Sequence, residues 1–190
     1  MIRLSKRLCG GARRAVADKK GSTAIEFAII APTFLALMFS TFEVGWFYFA
    51  NSQVDAATID AARLIRTGQA QEQGLTKDQF FNQVCPHLAA FGNCTNTMTV
   101  EVQKYTSFAA LAADNSPVVC RDAPQAAIDA ITYNTGADEE IVRLRICLLY
   151  KTINPAIGVN VSEGTTGKRR LYGTYIFRNE PYSKNNRHTP

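Results

Sequence analysis

Hydropathy along the chain is dominated by an apolar run from Phe27 to Ala50, in which Glu43 is the only charged residue. As a helix this run is roughly 36 Å long at about 1.5 Å per residue, enough to cross a bilayer core of about 30 Å. Beyond Asn51 the pattern changes. Val54, Thr58, Ala61 or Ala62, and Ile65 recur at three- and four-residue spacing, the period of a helix with one apolar face. Alanines at 56, 57, 61 and 62 favour helix and let other elements approach closely. The pattern predicts one long helix over residues 22–67, membrane-spanning at about 27–50, with Gly68 as its C-cap. The Ala stripe is expected to pack on a globular domain in preference to an intersubunit surface. Pro32 lies in the first half, where it removes one backbone hydrogen bond.

Residues 76–190 read as that domain. Thr76 followed by Gln79 forms a capping box, and a short helix through Phe80, Phe81 and Val84 is expected to bend or end near Pro86. Met98, Val100 and Val102 alternate with Thr99, Glu101 and Gln103, the signature of a half-buried strand. Residues 141–150 do the same, with Val142, Leu144, Ile146 and Leu148 facing inward and Arg143, Arg145 and Cys147 on a more polar face. A third strand is expected from Arg170 to Phe177. The stretch 107–138 is poorly patterned and is expected to be loops, with a short helix near Pro124–Ile131. The fold class is α+β: a long N-terminal helix, half transmembrane and half amphipathic, with a small antiparallel sheet of three or four strands.

Charge supplies the orientation. The chain has a formal net charge of +5 and a pI near 9.0, values that invite a nucleic-acid reading. Residues 1–21 hold seven of the 21 basic residues and one of the 16 acidic ones, a net +6, which leaves −1 for the remainder. The excess is therefore a short basic head, not a binding face, and nucleic acid is not an expected partner. Lys and Arg ahead of a span hold that end in the cytoplasm and place residues 51–190 on the far side. Trp46 and Tyr48 lie where an aromatic belt meets headgroups. A buried core helix is the alternative for the apolar run, and the basic head argues against it. A secretory signal is the other alternative, but the run exceeds the usual 7–15 residues, and Tyr48 and Ala50 make a poor cleavage site.

Between head and apolar run lies Gly21-Ser22-Thr23-Ala24-Ile25-Glu26-Phe27. A carboxylate beside a span is costly unless it has a partner; Glu26 in the headgroup region is the plain alternative. For Gly21, a flexible joint before the helix is the plain alternative. Glycine followed by four residues and then Glu-Phe, after a basic leader and before a long apolar helix, resembles a class III-type prepilin processing site. The run Gly21 to Pro32, continued through Glu43-Val44-Gly45 and Asp55 to Arg63 and Gly68, is similar to the TadE-like pseudopilins of the tight-adherence (Flp-type) pilus. Pro155 and Phe177 to Tyr182 resemble them more loosely. The resemblance implies that a prepilin peptidase cuts between Gly21 and Ser22 on the cytoplasmic face, leaving residues 1–21 as a leader. It implies a bacterial inner-membrane protein, cytoplasmic at its N-terminus, with a periplasmic domain, drawn into or beneath a pilus; a single-pass membrane-anchored periplasmic scaffold that does not enter a filament is the alternative. Its expected partners are the peptidase, other pilins and pseudopilins, the inner-membrane assembly platform and membrane lipid. Glu26, beside Phe27, would pair with the new α-amino group of a neighbouring subunit and set axial register.

Of five cysteines, Cys9 lies in the leader and four remain: Cys85, Cys94, Cys120 and Cys147. On an oxidising side they are expected to bridge. Four cysteines allow three connectivities; Cys85–Cys94 closes a short loop between helix and first strand, and Cys120–Cys147 fastens a loop to the second strand. Free buried thiols are the alternative. No catalytic constellation or metal site is expected, and no cofactor. His87 and His188 are the only histidines, and the cysteine spacings do not resemble a zinc ribbon. Gly164 to Lys168 lacks the first glycine of a phosphate loop and has Arg169 where Ser or Thr is needed. It reads as a hairpin turn with a basic shoulder, Lys168-Arg169-Arg170, either solvated or facing an acidic partner.

Overall fold

A computed structural model describes residues 21–153, 159–163 and 167–182. The leader before Gly21, Cys9, Pro155, turn residues 164–166 and His188 lie outside the described residues.

One helix, α1 (Ser22–Arg66), runs for 45 residues. Up to Phe39 the helix buries no residue against the described part of the chain: Phe27, Ile29, Ile30, Phe34 and Leu37 are all exposed. Its second half buries Ala50, Val54, Ala57, Thr58, Ala61, Ala62 and Ile65, the stripe expected from the spacing. The helix stops at Arg66, two residues before the expected glycine cap. Thr67 caps it, and Gly68 follows with φ 79°, a left-handed turn open to glycine. The ring of Tyr182 packs where a side chain at 68 would stand.

A short turn of helix, α2 (Gln69–Glu72), leads to α3 (Lys77–Leu88). Thr76 and Gln79 form the reciprocal capping box at its start. Pro86 does not end α3. One lost hydrogen bond near the end of a helix is offset by the next turn, because Leu88 is completely buried in the core. A 3₁₀ turn (Ala89–Phe91) and α4 (Cys94–Thr97) then feed β1 (Met98–Tyr105).

The stretch after β1 holds more structure than its pattern suggests. Ser107 caps α5 (Phe108–Ala113), accepting a hydrogen bond from the Ala110 amide at 3.1 Å. Next come α6 (Gln125–Asp129), β2 (Ile141–Lys151) and β3 (Lys168–Arg178). The sheet is antiparallel in the order β1-β2-β3. Thr132 and Asn134 bond Val102 at the outer edge of β1, covering that edge.

The molecule is a helix layer on a sheet layer. Val54 and Ala57 on α1 and Phe80, Val84 and Leu88 on α3 join a core with Val100 and Val102 on β1, Leu144 and Ile146 on β2, and Leu171 and Phe177 on β3. Ser40 meets Val159, Phe47 meets Arg169, Thr58 meets Gly173, and Arg66 meets Glu180, so α1 and β3 ascend side by side. At Gly173 a Cβ would collide with the hydroxyl of Thr58 and stand 3.0 Å from its Cβ; glycine there lets helix and strand touch.

The far face of β2 is not a polar surface. Every residue from Ile141 to Tyr150 is buried, because the segment after β1 folds back over Arg143, Arg145 and Cys147. The arginines are kept there by neutralisation. Arg145 grips Glu101, its cross-strand partner, at 2.7 Å, and Arg143 reaches Asp114 at 2.8 Å. Burying either charge without its partner would be costly.

Candidate functional site

The features that bear on function are gathered along α1. At its start Gly21 occupies the N-cap with φ −94°, and a Cβ placed there meets nothing within 4 Å. Neither backbone conformation nor packing among the described residues requires glycine at this position. Ser22 donates its hydroxyl to Glu26 Oε1 at 2.8 Å, one helical turn on. Glu26 is exposed, and Phe27 is 72% exposed beside it. These four predicted residues share the free end of the helix, far from the sheet. Pro32 lies within α1, and the helix continues through it.

Near the middle of α1 is Glu43, visible in the sequence as the lone charge of the apolar run but given no partner there. Glu43 is 2% exposed. Its carboxylate accepts a hydrogen bond from the Tyr150 hydroxyl at 3.0 Å and from the Ile153 amide at 3.1 Å. Burial, reinforced by the bond to Glu43, pushes the Tyr150 phenol well above its usual range and keeps it a donor. Just before it, Ser40 Oγ accepts the Val159 amide at 3.1 Å. Just after it, the Arg169 guanidinium lies 4.9 Å over the Phe47 ring. The domain thus grips the apolar run from residue 40 onward, inside the expected span of 27–50. The signal was present: Glu43 is the lone charge of the run, and a charge in such a run needs a partner.

At the other end of α1 the segment Phe177 to Tyr182 acts as a clasp. Glu180 pairs with Arg66 at 2.7 Å, and the buried Asn179 amide donates to the carbonyls of Thr135 and Ala137 at 2.9 Å. This gives a structural role to residues that sequence alone related only loosely to a family.

The cysteines pair at disulfide distance. Cys85 and Cys94 have Cα atoms 5.8 Å apart, and Cys120 and Cys147 5.4 Å apart. The first pair holds the 3₁₀ turn carrying Phe91 against α1, where Phe91 stacks within 5.6 Å of Trp46 and 5.8 Å of Phe49. The second ties the loop after β1 to β2 in a small cluster with Leu149. Both lie away from the Gly21–Phe27 end.

The remaining polar groups serve the fold. Tyr105 bonds Asp114, which holds that carboxyl well below the usual carboxylate range, with bonds from Ser116 adding to the effect. Burial and the same bond push the Tyr105 phenol up to about 12. In the basic shoulder, Arg170 is paired with Asp122 at 2.9 Å. A cleft of about 280 Å³ between α3 and β1 is lined by Lys77, Phe81, Arg121 and Ile131. Its cations already donate to backbone carbonyls, Lys77 to Ile131 at 2.8 Å and Arg121 to Met98 at 2.9 Å. Among the described residues, no group of three His, Cys, Asp or Glu is placed to hold a metal ion.

α1 is long and apolar enough to cross a membrane, with none of its most apolar window buried in the protein. It is compatible with a single-pass anchor. No curated protein and no solved structure matches the chain. Residues 21–63 match the family model described as TadE-like protein, so that α1, from its cap to its last turns, is consistent with a TadE-like protein of the tight-adherence pilus system.

Proposed function

We propose that the chain is a minor pseudopilin, cut by a prepilin peptidase after Gly21 and taking part in the assembly of a tight-adherence pilus. One observation carries the reading: the family match begins at Gly21, on the N-cap of an exposed apolar helix. In this reading the basic leader stays cytoplasmic, α1 anchors the protein in the inner membrane, and the domain with its two cysteine pairs lies in the oxidising periplasm. The partners are the peptidase, other pilins and the membrane assembly platform, and the chain performs no catalytic step of its own.

The helix start suits processing. Glycine at 21 is not needed by the fold, whereas a peptidase closing on the scissile bond benefits from a residue without a side chain. Cleavage would leave Ser22 with an α-amino group whose ordinary pKa near 8 keeps it mostly cationic. Glu26 is exposed at that end, available to the amine of a neighbouring subunit. Burying either charge alone is expensive, so the pair selects one axial register.

Intact-mass measurement of the protein from cells with and without the peptidase tests the reading. A mature chain beginning at Ser22, and a full-length Gly21→Leu variant, are expected. Retention of residues 1–21 in cells with active peptidase refutes it. For Glu26→Ala, normal trimming with loss from pilus subassemblies is expected; wild-type incorporation removes the register role.

A further inference from the structure

The domain does not meet α1 only above the apolar run; it surrounds the end of that run with apolar groups of its own. Phe91 reaches α1 at Trp46 and Phe49, with ring centroids 5.6 and 5.8 Å apart. Ile153 reaches it at Glu43 and Val159 at Ser40, each through a backbone amide. These contacts fall within residues 40–49, about 14 Å of helix at about 1.5 Å per residue. The side chains of Ile153 and Val159 nevertheless stay 64% and 49% exposed, with Phe49 at 46% and Trp46 at 37%. The collar is thus continuous with the bare surface of α1 below it, where Phe42 is 68% exposed.

Cations stand at the same level. Lys151 and Lys168, at the end of β2 and the start of β3, are direct cross-strand partners and both exposed. Like charges placed opposite one another destabilise an antiparallel pair unless an anion lies between them. Of the nearby acids, Asp122 is held by Arg170 at 2.9 Å, and Glu163, whose amide donates to the Lys168 carbonyl at 2.8 Å, has its carboxylate 4.0 Å from Arg169. An apolar ring, half covered, with a pair of lysines beside it has the chemistry of the boundary between acyl chains and phosphate headgroups.

We propose that this collar, Trp46, Phe49, Phe91, Ile153 and Val159 with Lys151 and Lys168, seats the domain in the headgroup layer of an anionic bilayer. The inference rests on the single-pass reading of α1. It places residues 22–42, about 31 Å of helix, in the lipid core of about 30 Å, and sets the domain directly on the membrane surface without a flexible neck.

Trp46 is the only tryptophan, which permits a direct test. The full chain, and the variants W46F/F91W and W46F/I153W, are reconstituted into vesicles of phosphatidylcholine with about one third phosphatidylglycerol. Emission is quenched by lipids brominated high on the acyl chain or by aqueous iodide. Blue-shifted emission, strong quenching by bromine and weak quenching by iodide are expected at positions 46, 91 and 153. Adding Lys151→Gln or Lys168→Gln to W46F/F91W is expected to lower its lipid-seated to free ratio about fivefold per lysine in these vesicles, with no change in neutral ones. Bromine quenching at 46 with iodide quenching at 91 and 153 overturns the collar while leaving the span intact. Shielding of 91 from both quenchers assigns that face to a second protein and also overturns it. If Trp46 itself escapes bromine and alkaline carbonate extracts the protein, the span reading has failed first, and the collar with it.

Discussion

Replacing Glu43 tests how the domain is fixed to its helix. In Glu43→Leu the Tyr150 hydroxyl and the Ile153 amide both lose their acceptor, at 3.0 and 3.1 Å in the native chain. Tyr150 is 1% exposed, so water does not readily replace the carboxylate. Each stranded donor costs about 1–3 kcal/mol, and the apolar leucine returns part of that. A net loss of about 2–4 kcal/mol corresponds to a fall of about 4–16 °C in Tm for a chain of this size. Glu43→Gln, which keeps an acceptor oxygen, should lose less than half as much. Tyr150→Phe should cost about 1 kcal/mol, and the Glu43→Leu/Tyr150→Phe double variant should lose less than the sum of the two by about 1 kcal/mol. Thermal unfolding of the full chain in mild detergent measures the stability, and hydrogen exchange at the Ile153 amide reports the local bond. Wild-type Tm for Glu43→Leu, with unchanged exchange at Ile153, would refute a docked carboxylate.

Three other predictions follow from the packing. Gly173→Ala places a Cβ against the Thr58 side chain, whose hydroxyl is held by the Val54 carbonyl at 2.7 Å; a loss of about 1–3 kcal/mol is expected. Adding Thr58→Ala should recover part of it, and a Gly173→Ala chain with native Tm would contradict the close approach of α1 and β3. Glu101→Ala leaves Arg145, 6% exposed, without its carboxylate, and should cost about 3 kcal/mol in a denaturant titration; a loss below 1 kcal/mol would mean the arginine escapes to water. Asp114 and Glu140 are depressed in the fold, by hydrogen bonds from Tyr105 and from the Ala137 amide respectively. Their contribution is complete above the ordinary carboxylate value of about 4 and is lost as pH falls below it. Tyr105 and Tyr133 are pushed up to about 12, so stability also declines as pH rises past about 10, where the unfolded phenols ionise first. Melts across both limbs, with Asp114→Asn flattening the acid one, check the assignments.

Periodicity made much of this fold legible. The 3.6-residue spacing of Val54, Thr58, Ala61 and Ile65 and the alternation in β1 and β2 report which side of an element is buried, and each element carries that information locally. The capping box at Thr76 is likewise a matter of four adjacent residues. What stayed hidden depends on distant contacts. Arg143 and Arg145 read only as lying on a more polar face because their neutralisers, Asp114 and Glu101, lie 29 and 44 residues away in sequence. The Ser107 cap was a visible signal missed within an Ala-rich stretch. Glu43 shows a failure of a different kind. The cost of a charge in an apolar run was applied to Glu26, where family resemblance drew notice, and not to the residue with the larger desolvation to offset. At the candidate site, the Gly21–Phe27 end was legible as a motif, since its residues are contiguous in the sequence. Its freedom from any contact with the domain was not.

The buried carboxylate also decides which parts of α1 remain for other subunits. The Ala-lined face at 57, 61 and 62 is filled by the chain's own core, so it cannot serve a neighbour without undoing the domain. From Asn51 upward the exposed positions are Ser52, Asp55, Ala56, Ile59, Asp60, Arg63 and Arg66, a surface that is polar apart from Ala56 and Ile59. Below Ser40, among the described residues, no domain residue touches the helix through any side-chain hydrogen bond and no helix residue is buried. In the pseudopilin reading proposed above, close helix packing between subunits would be made by residues 22–42, the part that in the single-pass reading also faces lipid. A subunit leaving the membrane would exchange lipid for protein along that length while the contacts of Glu43 and Ser40 carry the domain with it as one piece. On the same proposal, register between subunits would fall to the polar group at the free end of that length, Glu26, because bulky apolar side chains alone pack in several neighbouring registers at similar cost.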